Sequence, residues 1–331
     1  MEKQLTLLTW PDYINPLTLQ QFDLEFGVRV RVETVPSGVE LMERMRAPGD
    51  PPDVLCPPDY AVRELNGENR LLALDHARLP NLEHLDPHFR YGRAHDPEGR
   101  VSVIKDWGTT GFMFRTDVVS ESPQSWAHFW TLAEKYSGRV TVLDSPSEVI
   151  GAALKMRGHS YNATGTEALA QARADLLKLK PHLRAFETNY RPLLAAGEVW
   201  LALGWNGDAA ALNAEGVPVQ YIVPSEGSQI WEDDWAIAAG TPHPDAALAF
   251  LDFVLRPEIA AQEARYTRYA TGNRAALALL DEAMRGDPSI YPPEKVLRKL
   301  EPGLPLDVGG GQRRAGLWKD IREVESPENR R

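Results

Sequence analysis

One cysteine, Cys56, stands in 331 residues, so no disulfide can form within the chain and zinc sites built on cysteine pairs are excluded. No apolar run approaches the ~18 residues that a membrane-spanning helix needs. Basic residues are also scarce: 36 Lys and Arg against 47 Asp and Glu give a formal net charge of −11, which argues against nucleic acid as a partner and favours cations. The sequence has no G-x-S-x-G, H-E-x-x-H, Walker lysine loop or EF-hand pattern, which removes the commonest hydrolase and nucleoside-triphosphatase readings. His76, His84, His88 and His95 cluster, but Asp86 and Pro87 break any helix that would align His84 with His88, so no metal or other cofactor is expected.

What remains is an ordinary globular composition, 43% apolar and 25% charged, long enough for two domains. Strand-like and helix-like runs alternate, the pattern of α/β domains with mostly parallel sheets. "LTLLTW" (5–10), "VRVRVETV" (28–35), "DVLC" (53–56), "RVTVLD" (139–144), "VWLALGW" (199–205) and "WAIAAG" (235–240) read as strands. Helices are expected over 17–26, from the capping-box pair Ser37 and Glu40 through Met45, over 145–156 and over 244–255. Pro57 and Pro58 end the third strand and leave Asp59 and Tyr60 on a loop, "NGD" reads as a turn with Asp208 as a helix cap, and "GGG" (309–311) as a flexible turn. Trp126, Phe129 and Trp130, at helical spacing, read as core. Trp107, ahead of "GTTGF", suits either a crossing between domains or a ligand contact.

Trp10, Tyr60, Glu148 and Trp205 then all fall at carboxyl ends of strands or at the helix starts just beyond, where open α/β sheets bind ligands. "WEDDW" (231–235) adds a second signal. If it is extended, Trp231, Asp233 and Trp235 share one face while Glu232 and Asp234 share the other. A ring and a carboxylate side by side suit an organic amine, because the ring attracts cations and covers methylenes while the carboxylate accepts from ammonium. Adjacent strand residues cannot flank one glycosidic bond, and no reacting group with a poised base is evident, so an enzyme is not expected.

Nearly the whole chain, from Leu5 to about Arg322, resembles the periplasmic spermidine- and putrescine-binding proteins of ABC transporters. The ordered segments that carry the resemblance are "LTWPDYINP", "DVLCPPDYAV", "DWGTTGF", "WNGDA", "IWEDDWAI", "RYATGNRAA" and "DVGGG". The resemblance implies a type II periplasmic binding protein fold, two α/β lobes with a ligand cleft between them. Residues 1–107 plus 232–278 would form the N-terminal lobe, and 108–231 plus 279–331 the C-terminal lobe. It places Trp10, Asp12 and Tyr13 on a first binding segment, Tyr60 on a second, and Glu148 against an ammonium end. Trp205 and Trp231 would sandwich a methylene chain, Asp233 would be the central carboxylate, and Tyr269 a further aromatic contact. In "WEDDW" that leaves Trp235 to start the buried strand and Glu232 and Asp234 to be solvated.

Pro11, Pro58, Ser145 and Pro305 depart from the family pattern, so the particular amine stays open. Asp12, Glu148 and Asp233 balance a diamine or triamine, with Asp144 or Asp208 as a further acid. The expected partners are a small cationic ligand and a membrane permease, for a monomeric, non-catalytic protein. Alternatives are the same fold binding another small aminated metabolite, or a cytoplasmic polyamine sensor. "MEKQLTLLTW" is too poor in apolar residues for a signal-peptide core. Two placements follow: extracytoplasmic with the leader removed, or cytoplasmic.

Overall fold

The computed structural model describes residues 2–323; residue 1 and residues 324–331, which the expected lobes include, lie outside them. Among the described residues no helix is long and apolar enough to cross a membrane. Contacts divide the chain into two compact units, one formed by the chain up to Trp107 with Trp231–Gly286, the other by Gly108–Ile230 with the chain from Asp287 onward. The last division falls after Gly286 rather than 278, because the short helix Glu282–Arg285 buries Met284 and stays with the first unit.

The first unit opens as β-α-β. The strand Gln4–Thr9 pairs in parallel with Arg29–Thr34 and, on its other edge, with Val54–Leu55. The helix Pro16–Phe26 between the first two starts where the Asn15 side chain accepts from Leu17 N at 2.9 Å, and it stops at Gly27, whose φ of +67° suits glycine. Val54–Leu55 pairs antiparallel with the far end of Gln229–Ile237. Phe250 packs edge to face on Phe22 and Trp235, with Phe253 tilted against Phe22, while Leu8, Leu41, Met42, Leu55, Val62 and Leu65 form a core cluster.

In the second unit Ser102–Arg115 pairs antiparallel with Leu201–Trp205 and Val219–Ile222, and Val140–Val142 lies parallel to Leu201–Trp205 and Leu183–Phe186. Phe112, Trp126, Phe129 and Leu203 sit in its core, and Trp130 packs against them, in keeping with the helical spacing. Two strands, Ser102–Arg115 and Gln229–Ile237, each run through a division between the units.

Several local expectations change. Asp59 and Tyr60 begin the helix Asp59–Gly67 instead of a loop: proline at the N-terminal edge of a helix withholds no needed donor, and the Asp59 carboxylate takes the Tyr60 N–H at 2.6 Å. "NGD" is no turn, since the helix Asn206–Ala214 starts directly after Trp205 and Asp208 lies in its first turn. "GGG" enters the helix Val308–Glu323. Its Gly310 is required by closeness, because a Cβ there would lie 2.6 Å from Thr164 Cγ2, and Asp307 Oδ1 takes the Gly310 N–H at 2.6 Å.

The strand holding "WEDDW" begins at Gln229, ahead of the expected Trp235, and the solvated face expected for Glu232 and Asp234 is not found. Asp234 is 0% exposed. Arg93 Nη1 reaches both its oxygens at 2.6 Å, Ser102 Oγ donates at 2.6 Å and His95 Nε2 lies at 2.8 Å. Burial alone would raise this carboxyl, but Arg93 and His95 hold it well below the usual range. Glu232 is half-buried at the edge of the same cluster and is pushed up to about 7, by burial first and then by the Asp234 charge. Arg93→Met, which leaves Asp234 buried without its cation, should lower stability by about 3–5 kcal/mol in urea unfolding.

Candidate functional site

Each unit holds one group of candidate residues. In the first, Trp10 follows the strand Gln4–Thr9, and Asp233 is bridged antiparallel to Pro58, so the end of one strand is brought beside the middle of another. Asp233 is 8% exposed. Its Oδ2 accepts from Trp10 Nε1 at 3.0 Å and lies 2.8 Å from the Tyr13 hydroxyl, which also stands 2.5 Å from Asp106 Oδ1. Tyr269 packs edge to face on Trp231 at 4.9 Å and on Tyr13 at 5.9 Å. The Trp107–Ala270 bridge fixes the approach of that segment. Trp10, Tyr13, Trp231, Asp233 and Tyr269 therefore form one aromatic and acidic cluster within this unit.

Tyr60 and Asp12 are the more exposed of the residues expected in this unit. Tyr60 is 40% exposed, and its hydroxyl lies so close to Gly38 that a Cβ there would meet it. Asp12 is exposed, at φ 54°, and its charge helps raise the Tyr266 phenol, after burial.

In the second unit the antiparallel register pairs Thr110 with Trp205. The parallel neighbour Val140–Val142 leads into the helix Pro146–Met156, whose first turn carries Glu148. Glu148 is 7% exposed, and its Oε1 accepts from Thr110 Oγ1 at 2.8 Å and from Trp205 Nε1 at 2.6 Å. Tyr190 fixes the backbone that carries the indole: its hydroxyl takes the Trp205 backbone N–H at 2.8 Å and donates to Asp208 at 2.6 Å. Asp144 is paired with Arg322 at 3.3 Å.

The two units thus repeat one arrangement, a buried carboxylate held by an indole N–H and a hydroxyl. Neither Asp233 nor Glu148 has a Lys, Arg or His nitrogen within 4.0 Å among the described residues. Burial pushes both carboxyls up; Asp233 reaches about 7, with the nearby Asp106 charge as the second cause. Such a group accepts a cation readily, because pairing relieves the burial of its charge. His95, Glu232 and Asp234 come within 4.8 Å of one another and are the residues that could ligate a metal, but the Arg93 guanidinium already lies against both Asp234 oxygens.

A model of the bacterial extracellular solute-binding protein family matches residues 18–290. The chain belongs to that family. This solute-binding protein is 31% identical over 300 residues to the spermidine/putrescine-binding periplasmic protein of Escherichia coli, an alignment covering 90% of this chain and 85% of the relative. It is 30% identical to the putrescine/agmatine-binding protein of Pseudomonas aeruginosa, covering 96% of this chain and 91% of that protein. Among solved structures, a putative spermidine/putrescine ABC transporter protein from Listeria monocytogenes superposes with a TM-score of 0.90 at 29% identity, over 98% of this chain and all of that one. The type II periplasmic binding fold expected from the sequence is the fold found.

Asp106, Lys105, Thr110 and Tyr190 were not singled out from the sequence. For the first two a signal existed: a Lys-Asp pair inside the run "SVIKDWGTTGFMF", where every residue is buried. Thr110 and Tyr190 carried none, since only strand register and packing bring them to Trp205. Thr110→Val or Trp205→Phe, each removing a donor to the ionised form, should raise the Glu148 carboxyl further, read by carbon-detected NMR titration of its side chain.

Proposed function

We propose that this solute-binding protein captures a linear aliphatic polyamine of the putrescine and spermidine class and delivers it to the membrane permease of an ABC importer, without catalysis. The observation that carries the reading is the repeated buried carboxylate, Asp233 in one unit and Glu148 in the other, each fixed by neutral donors and lacking a basic partner. Two such acids match the two ammonium ends of one ligand. Each charge-assisted bond contributes roughly 1.5–3 kcal/mol. Trp231 and Tyr269 beside Asp233, and Trp205 beside Glu148, offer ring faces to a methylene chain and its cations, worth about 0.5–2 kcal/mol each.

An anionic or neutral guest would leave both acids buried and unpaired, so it is disfavoured. The relatives' names, which specify spermidine, putrescine and agmatine, support the same class. Catalysis is not part of this reading: the hydroxyls of Tyr13 and Thr110 and the indoles of Trp10 and Trp205 act on the acids as hydrogen-bond donors that favour the ionised form. Location outside the cytoplasm belongs to the same proposal, by analogy with periplasmic relatives.

Calorimetric titration with putrescine, cadaverine, spermidine and agmatine should give micromolar or tighter binding for at least one. Asp233→Asn, Glu148→Gln and Trp231→Ala should each weaken it more than tenfold, about 1.4 kcal/mol. No heat with any of the four amines would overturn the assignment.

The pH dependence has a definite sign. Asp233 is protonated below about 7 in the free protein, and an ammonium binds only its ionised form. Binding must then release protons, and affinity should rise between about pH 6 and about pH 8, measured by titration in buffers of different ionisation heat.

A further inference from the structure

Lys105 and Asp106 lie in the first unit, inside a strand where every side chain from Ser102 to Phe114 is buried. Two adjacent charges in such a place need a reason. Lys105 Nζ stands 2.5 Å from Asp106 Oδ2, 3.8 Å from the centre of the Tyr13 ring and 5.5 Å from that of Trp235. Its side chain is itself an alkylammonium on a methylene stem, satisfied by a carboxylate and two aromatic rings. Those are the same chemical elements that Asp233, Trp10, Tyr13 and Trp231 assemble one hydrogen bond away.

Tyr13 is the link, since its hydroxyl lies between Asp106 and Asp233. The group therefore holds two carboxylates and one internal ammonium, and one negative charge is left over. Glu263 also acts on Lys105, but it bonds to the Thr18 hydroxyl and the Asn15 N–H and not to Tyr13, so it is not part of the group that Tyr13 links. Burial alone would lower the Lys105 ammonium, but Asp106 raises it, so it stays charged. Without Lys105 the same pocket of side chains would carry two uncompensated carboxylates and would favour a second ligand cation.

We propose that Lys105 is a specificity-determining residue: by neutralising Asp106 it limits the first unit to one ligand ammonium, held at Asp233. The inference rests on the polyamine reading above. It assigns Lys105 and Asp106 a positioning role, acting on the ligand through Tyr13 and through charge.

The test is calorimetric titration of putrescine and spermidine into the wild-type chain, Lys105→Met, Asp106→Asn and the double variant, each at two salt concentrations. Lys105→Met should raise the spermidine-to-putrescine affinity ratio at least tenfold, because it adds a place for a further ammonium. Asp106→Asn leaves Lys105 as a bare cation beside Asp233 and should weaken both amines at least tenfold. The double variant removes both charges and should recover at least tenfold of that loss, a coupling that a merely structural role would not produce.

An unchanged ratio in Lys105→Met, or a double variant as impaired as Asp106→Asn, overturns the proposal. Should Lys105→Met fail to fold, the comparison of Asp106→Asn with the double variant decides alone. A wild-type chain that binds neither amine sinks the polyamine reading itself, an outcome distinct from binding with an unchanged ratio.

Discussion

Everything at the candidate site depends on a carboxylate that is buried without a cation. Taking a charge out of water is costly, and a fold usually answers that cost with a partner of opposite sign. Asp233 and Glu148 receive neutral donors, an indole N–H and a hydroxyl at Asp233 and an indole N–H with the Thr110 and Ser145 hydroxyls at Glu148. Those donors orient the oxygens and keep the ionised state reachable, yet they leave the charge uncancelled, and both carboxyls are raised as a result. The raised Asp233 also has a stability sign. Its folded form holds a proton more tightly than the unfolded chain does, so the free protein loses stability as pH climbs from the ordinary carboxylate range toward about 7. A bound ammonium reverses that loss, which couples ligand capture to the stability of the unit.

The strand Gln229–Ile237 shows how narrowly this arrangement is drawn. Asp233 and Asp234 are neighbours in sequence and both are buried, but the alternation of the strand sends them to opposite faces. Behind the strand, Arg93, His95 and Ser102 complete Asp234, and its carboxyl falls well below the usual range. In front, Trp10 and Tyr13 hold Asp233, and its carboxyl rises. The same residue type, one position apart, anchors structure on one side and stays chemically open on the other. Arg93 has a second consequence: by meeting both Asp234 oxygens it holds the segment that precedes Ser102 against the strand that presents Asp233, so the rigid side of the strand supports the reactive one.

Much of this was legible in the sequence, because alternation and strand-end placement are local properties. The period of two in "WEDDW" sorts Trp231, Asp233 and Trp235 from Glu232 and Asp234, and the strand-end rule collects Trp10, Glu148 and Trp205. Solvation of Glu232 and Asp234 was the wrong inference, since a local pattern reveals which face a side chain takes but not what covers that face. Arg93 and His95 lie far away in the chain, and nothing near Asp234 announces them. The same limit hid Thr110, whose role follows from its register against Trp205. Gly310 failed differently. Glycine was read as freedom to turn, whereas here its missing Cβ admits the Thr164 side chain against a helix.

Acids and rings divide the work of recognition in a way that bears on selectivity. In the proposed reading carboxylates count charges, while the faces of Trp231, Tyr269 and Trp205 would accept methylenes of almost any number, because dispersion against a ring is not directional. A site made of rings and acids alone would therefore discriminate poorly among amines of similar length. Discrimination requires that the number of available negative charges be fixed, and in the first unit that number depends on Lys105. A tethered ammonium is a suitable device for this purpose. It cannot diffuse away, its stem is confined by Tyr13 and Trp235, and its charge is sustained by Asp106 in the same strand. On that proposal the pair would set how acidic the unit is toward a guest, independently of the Trp10 and Tyr13 bonds that orient the Asp233 carboxylate.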